Sequence, residues 1–325
     1  MAAKPELLIP ITLFEQWHGE LEDEFTVRYV GKAADRAAAI HAVAPGIRAL
    51  ATNSTGGASR ELIASLPKLE IIALFSVGYE GIDLAAAAER GIPVTNAPGV
   101  NAGSVADLAL GLMLAAQRGI ALRDRQIRQG RFDDTRALTH TLQDKRLGLL
   151  GLGNIGRAIA TRAAAFGMTV GYSKPTRAAD SPYRYFESAE ALAAASDFLV
   201  VCTPGGPATR HLVNARVLAA LGPEGTLVNV ARGSIVDTQA LVDALERRTI
   251  AGAGLDVYEN EPEVPEALRR LDNAVLMPHV GGFTHESFRA AFELMRENLR
   301  AHFTGRPLLT PVAPGLRDRA GVVRR

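Results

Sequence analysis

The chain has 325 residues, 47% of them hydrophobic and 22% charged, and its 36 basic and 35 acidic side chains leave a formal net charge of +1. Near-neutral charge argues against nucleic acid or an anionic membrane as partner, no apolar run reaches the roughly 18 residues that span a bilayer, and the single cysteine, Cys202, excludes internal disulfides and a cysteine-rich metal site. The expectation is a cytoplasmic protein of about two domains, without a secretory signal at its start and without a bound metal.

In chain order, the first hundred residues alternate short apolar runs with alanine-rich helical segments. Leu7-Leu8-Ile9, Thr26-Val27-Arg28-Tyr29, Ile47-Arg48-Ala49-Leu50, Ile71-Ile72-Ala73-Leu74 and Pro93-Val94-Thr95 read as strands of a parallel α/β unit. A loop at Asn96-Ala97-Pro98-Gly99 opens a long apolar helix over 104–117, and the arginine-rich stretch 118–136 reads as surface or interface.

Near the middle of the chain stands Leu147-Gly148-Leu149-Leu150-Gly151-Leu152-Gly153-Asn154-Ile155-Gly156, a short strand running into G-x-G-x-x-G and a helix over 155–166. Of the three glycines, Gly151, Gly153 and Gly156, one permits a tight turn, one lets the backbone approach a pyrophosphate, and one lets helix and strand pack closely. Asn154 and Ile155 open the helix, whose first N–H groups and positive dipole end suit phosphate. A second strand over 168–172 completes a βαβ unit that predicts dinucleotide binding. At its end an NAD site usually places Asp or Glu on the ribose 2′-OH. Here the sequence is Ser173-Lys174-Pro175-Thr176-Arg177: a hydroxyl and two cations suited to a 2′-phosphate, which points to NADP(H).

Strands over 197–201, 225–230, 252–257 and 274–277 follow, then a long helix over 285–303. The predicted class is α/β, with two Rossmann-like or flavodoxin-like parallel-sheet domains and a cleft between them. Residues 1–98 and 283–325 form the substrate-binding domain, and 99–282 the dinucleotide-binding domain.

Ligands of open parallel sheets bind beyond the carboxyl ends of the strands. Arg232, Glu261 and His279 stand there, as does Asp256, which could equally cap its own strand in an Asx turn. Singly, each has an ordinary alternative as a solvated arginine, an acidic loop or a satisfied histidine. Together they suit reduction of a 2-keto acid. Arg232 would clamp the carboxylate and polarise the carbonyl, His279 would protonate the oxygen, and Glu261 would hold the imidazole and favour its charged form.

These stretches resemble the D-isomer-specific 2-hydroxyacid dehydrogenases over about 50–311. The likeness is carried by the glycine fingerprint, Asn229-Val230-Ala231-Arg232-Gly233, Gly254-Leu255-Asp256-Val257-Tyr258-Glu259-Asn260-Glu261-Pro262 and Met277-Pro278-His279-Val280-Gly281. It implies Arg232, Glu261 and His279 as the catalytic three and a D product. It also implies a substrate loop Ser76-Val77-Gly78-Tyr79 whose Val77 and Gly78 amides hold a carboxylate, with Asn53 and Ser54 on the neighbouring loop. Cofactor contacts are implied for Thr203, Pro204, Ala231, Arg232, Asp256, His279 and Gly281, with Asp256 at the nicotinamide carboxamide, and a homodimer is implied through 104–136. Within the family, Phe75-Ser76-Val77-Gly78, Ala220-Leu221-Gly222-Pro223-Glu224-Gly225 and Ala301-His302-Phe303-Thr304-Gly305 are similar to the NADPH-dependent glyoxylate/hydroxypyruvate and hydroxyphenylpyruvate reductases. A 2-ketogluconate reductase and a dinucleotide-sensing corepressor-type protein on the same fold are the alternatives. Phe283 departs from those reductases, which often have Gly-Ser after the histidine, and either lines the substrate pocket or packs beneath the closing helix. Trp17 and Phe14 carry the same ambiguity.

Overall fold

The computed structural model describes residues 3–12, 15–133 and 136–312; Phe14 lies outside them. Two compact units are present, one built from the residues up to Asn101 together with those from Thr284 on, the other from Ala102–Phe283.

The first unit holds β1 (Glu6–Ile9), β2 (Thr26–Tyr29), β3 (Ile47–Thr52), β4 (Ile71–Leu74) and β5 (Val94–Thr95), all parallel in the order β2-β1-β3-β4-β5. This is the flavodoxin-like order, with its reversal between β1 and β3. Both faces of the sheet are buried, which is why its strands are apolar throughout rather than alternating. Leu8, Leu50, Ile72 and Leu74 face one core. Leu7, Ile9, Ala49, Ile71 and Ala73 face the other, which the helix His285–Phe303 completes with Phe292, Met295 and Leu299. Arginines on that helix grip the helix His18–Glu22 and the turn after it: Arg289 and Arg296 meet Glu20 at 2.6 and 2.8 Å, and Arg296 meets Glu24 at 2.7 Å. Burial alone would raise the Glu24 carboxyl, but hydrogen bonds from Arg300 and Arg296 outweigh it and hold the group below its ordinary range. Trp17 packs on Phe292, with ring centroids 5.2 Å apart, and so belongs to this core.

The second unit holds β6 (Arg146–Leu150), β7 (Thr169–Ser173), β8 (Arg184–Phe186), β9 (Phe198–Val201), β10 (Thr226–Asn229), β11 (Gly252–Leu255) and β12 (Ala274–Leu276). The parallel order β12-β11-β10-β9-β6-β7-β8 is the doubly wound nucleotide-binding order with one further strand at the end. Alternate residues of β9 divide between two cores, Leu199 and Val201 on one side and Phe198 and Val200 on the other. The helix Ala102–Arg118 lies in the second of these through Val105, Ala109, Leu112 and Met113. Among the described residues no single helix is long and apolar enough to cross a membrane. Helix starts are marked by side-chain caps, among them Ser59, Asp83, Ser188, Asn214, Asp237 and Thr284, each accepting a backbone N–H. Caps of this kind contribute about 1 kcal/mol apiece.

Candidate active site

In the seven-stranded unit the strand order reverses between β6 and β9, so the loops after these two strands define the crevice where a ligand is expected. Gly151 follows β6 with φ +106°, and a Cβ there would stand 2.8 Å from the Cys202 carbonyl oxygen. A Cβ on Gly156 would lie 2.5 Å from the Gly151 carbonyl oxygen, so this glycine lets the helix Asn154–Ala165 close onto the turn. Gly153 differs: a Cβ there would meet nothing within 4 Å. The protein's own packing therefore does not require glycine at 153, whereas a pyrophosphate lying against the backbone would. Gly153 also caps the helix without a side-chain hydrogen bond, leaving the first N–H groups, at Asn154 and Ile155, for an anion. These residues fit a dinucleotide.

Thr203 and Pro204 follow β9 on the other side of the reversal, with the Thr203 Cα against Gly151. Between them and the turn sits Cys202, whose buried thiol reaches the Gly151 carbonyl at 3.1 Å and is pushed by burial up to about 12. It is a packing residue.

Ser173 ends β7, and its carbonyl accepts the Gly151 N–H at 2.9 Å, so the second strand holds the turn. Lys174 and Arg177 follow it; Lys174 is half-buried and Arg177 exposed. Asp180, farther along, is engaged by Arg157 of the fingerprint helix at 2.8 Å, which holds its carboxyl below the ordinary range. Tyr185 on β8 donates to the Lys174 carbonyl at 3.3 Å.

Arg232, Glu261 and His279 all stand beyond the carboxyl ends of neighbouring strands, β10, β11 and β12 respectively. Glu261 and His279 are in contact: Glu261 Oε2 lies 2.6 Å from His279 Nδ1, and Glu261 Oε1 accepts the Tyr258 N–H at 2.9 Å. The imidazole is about half exposed, so its Nε2 edge is open to a second partner. The His279 backbone is held at φ +56°, in the left-handed region that non-glycine residues seldom occupy. What holds it is Asp256. This carboxylate is buried, and its two oxygens accept the Val280 and Gly281 N–H groups at 2.8 Å each. Burial raises its pKa more than these two hydrogen bonds lower it. Gly281 is needed at this point, since a Cβ there would come within 2.9 Å of Asp256 Oδ2. Asp256 thus clamps the histidine loop 24 and 25 residues downstream and forms no local Asx turn.

The Arg232 guanidinium donates to the Ala231 carbonyl at 2.8 Å. Gly233 lets this turn press on the next loop, because a Cβ there would fall 1.9 Å from the Tyr258 carbonyl carbon. Tyr258 in turn donates its hydroxyl to the Met277 carbonyl at 2.9 Å, two residues before His279. The three loops are thereby tied through one residue, Tyr258, which motif reading alone does not disclose. Phe283 is 68% exposed and hence is not packed beneath a helix.

The five-stranded unit carries the loops predicted to bind substrate. Asn53 Oδ1 accepts the Gly56 N–H at 2.5 Å, and the Ser54 N–H donates to Ser76 Oγ at 3.0 Å. Ser76 Oγ also donates to the Gly78 carbonyl at 2.7 Å, and Asn96 donates to the Val77 carbonyl at 2.7 Å. Their carbonyls are occupied, while neither the Val77 nor the Gly78 N–H meets an acceptor among the described residues. Tyr79 packs against the core of this unit. Asn53 and Ser54 are thus engaged within the loops they shape.

The profile of the D-isomer specific 2-hydroxyacid dehydrogenase NAD binding domain matches residues 110–281. The chain belongs to the D-isomer-specific 2-hydroxyacid dehydrogenase family. It is 48% identical over 271 residues to a hydroxyphenylpyruvate reductase of Plectranthus scutellarioides, covering 83% of this chain and 86% of the relative. A glyoxylate/hydroxypyruvate reductase of Arabidopsis thaliana is 44% identical over 294 residues, covering 90% and 94%. Among solved structures, an NADPH-dependent glyoxylate/hydroxypyruvate reductase from Sinorhizobium meliloti in complex with NADP and malonate superposes with a TM-score of 0.87. It is 41% identical and covers 96% of this chain and 97% of its own. The chain is accordingly similar throughout to keto-acid-reducing oxidoreductases.

Proposed function

We propose that the protein is an NADPH-dependent reductase of a 2-keto acid of the glyoxylate, hydroxypyruvate or hydroxyphenylpyruvate type, giving the D-2-hydroxy acid. The observation that carries it is the 2.6 Å contact of Glu261 with His279 Nδ1, beside Arg232 at the ends of three adjacent strands. The Glu261 carboxylate accepts the Nδ1–H hydrogen bond, so Nε2 is the atom from which a protonated His279 would give its proton to the substrate's carbonyl oxygen. Arg232 meets the carboxylate with its planar fork and polarises the neighbouring carbonyl. The Val77 and Gly78 amides are a second set of donors suited to a carboxylate, and Asn53, Ser54 and Tyr79 shape the loops around them. A nicotinamide dinucleotide supplies the hydride when bound. Gly151, Gly153, Asn154, Ile155 and Gly156 would hold its pyrophosphate, with Thr203, Pro204, Ala231 and Gly281 lining the same strand ends. Asp256, its oxygens already given to two amides, would meet the carboxamide only with its remaining lone pairs.

The preference for NADPH is supported by the absence of Asp or Glu in Ser173-Lys174-Pro175-Thr176-Arg177, by the engagement of Asp180 with Arg157, and by the NADPH dependence of the Sinorhizobium relative. The exposed Phe283 ring would favour an apolar or aromatic tail on the substrate. A homodimer through 104–136 is part of the same reading. Ile120, Ile127 and Phe132 are exposed large apolar groups in that segment, and sedimentation of the purified protein tests it.

The deciding experiment is initial rates of oxidation of NADPH and NADH with glyoxylate, hydroxypyruvate, 4-hydroxyphenylpyruvate and 2-ketogluconate. Turnover of at least one acid with NADPH favoured is the expected result. Bound NADPH with no turnover of any of the four would overturn the reductase reading.

A further inference from the structure

Arg232 sits in a turn whose geometry is dictated from two sides by residues that carry no charge. On the backbone side stands Asn229, the last residue of β10, only 1% exposed. Its Oδ1 accepts the Ala231 N–H at 3.1 Å and its Nδ2 donates to the Arg232 carbonyl at 3.0 Å. Its own carbonyl meanwhile accepts the Asp256 N–H at 3.0 Å, so the residue is fixed to β11 while its side chain closes the turn. A buried amide with both ends on the main chain of one turn leaves that turn a single shape. The alternative is an unsatisfied buried polar group, which is costly. On the side-chain side stands Gly205, in the loop after β9. A Cβ there would come within 2.8 Å of Arg232 Cγ and 3.2 Å of its Cβ. Gly205 has no positive φ, so the space given to the arginine, and not backbone freedom, accounts for glycine here.

We propose that Asn229 and Gly205 are the positioning residues of Arg232, fixing the path of its backbone and the lane of its side chain, and so set affinity for the keto acid's carboxylate. This rests on the role given to Arg232 above. A guanidinium that must meet a carboxylate with two parallel N–H groups tolerates little misplacement, and an error of about 1 Å can cost two orders of magnitude. Asn229→Asp keeps the acceptor for Ala231 and sets an oxygen against the Arg232 carbonyl. Gly205→Ala leaves the main-chain hydrogen bonds alone and crowds the side chain.

The test measures KM and kcat for hydroxypyruvate, NADPH affinity by fluorescence, and binding of oxamate, a non-reacting keto-acid analogue, to the NADPH-loaded protein. Both variants should raise KM and weaken oxamate about tenfold, lower kcat less, and leave NADPH affinity within about twofold. General loss of structure would instead lower the active fraction and spare KM. If Asn229→Asp does not fold, Gly205→Ala decides alone. Unchanged KM and oxamate affinity in the folded variants, with Arg232→Ala losing both, would refute the positioning role. If Arg232→Ala also keeps both, the role of Arg232 itself fails.

Discussion

The two units have the same kind of sheet, parallel and reversed once in its order, yet they equip the ends of their strands in opposite ways. The seven-stranded unit puts ionisable side chains there, Arg232, Glu261 and His279, and buries Asn229 and Asp256 to hold the loops that carry them. The five-stranded unit puts Asn53, Ser76 and Asn96 there, small polar side chains that hydrogen-bond to the backbone of these loops at Gly56, Ser54, Gly78 and Val77. Among the described residues the Val77 and Gly78 N–H groups meet no acceptor. A side chain that moves a proton must be aimed, and aiming it takes buried polar supports. A backbone that only binds an anion needs no more than a loop folded to the right shape.

Substitutions can break this contrast, and the largest effect is expected at His279. His279→Ala should lower kcat at least 10³-fold with NADPH affinity nearly intact; loss of cofactor binding instead would show that the imidazole serves the nucleotide. Arg232→Lys keeps the charge but loses the planar fork, and kcat/KM should fall about 10²-fold. Wild-type kinetics would remove the residue from the site. Lys174→Asp should move the ratio of NADPH to NADH efficiency about tenfold toward NADH, and an unaltered ratio would dissolve the phosphate argument. The mildest change belongs to the other unit. Asn96→Ala frees the Val77 carbonyl, and KM for the keto acid should rise only about threefold, since one neutral hydrogen bond to a loop is worth about 1 kcal/mol. A collapse of kcat there would mean that the five-stranded unit does more than bind.

The α/β class, the nucleotide turn and the three ionisable residues at strand ends were legible because each leaves a pattern within a few residues. What escaped depends on partners far along the chain. Asp256 invites reading as a local turn former, while its partners are Val280 and Gly281. Asn229 closes an apolar run and looks like the end of a strand; its role appears only when the chain bends back at Arg232. β8 is three residues long at a sheet edge, too short to show a period. Gly205 has the look of loop filler until the Arg232 side chain is laid beside it. Phe283 could be read either way, and its exposure excludes the packing role.

The helix His285–Phe303 also dictates an order of events in time. Phe292, Met295 and Leu299 fill one side of a sheet whose strands were made some two hundred residues earlier. During synthesis, the five strands therefore emerge with Leu7, Ile71 and Ala73 lacking their cover, while the seven-stranded unit is translated in full and can close its own cores first. The nascent chain must keep that half-built sheet from pairing elsewhere until its last helix arrives. A ribosome-stalled chain ending before residue 285 should therefore bind a holdase chaperone through its first hundred residues, though these are the oldest part of the molecule.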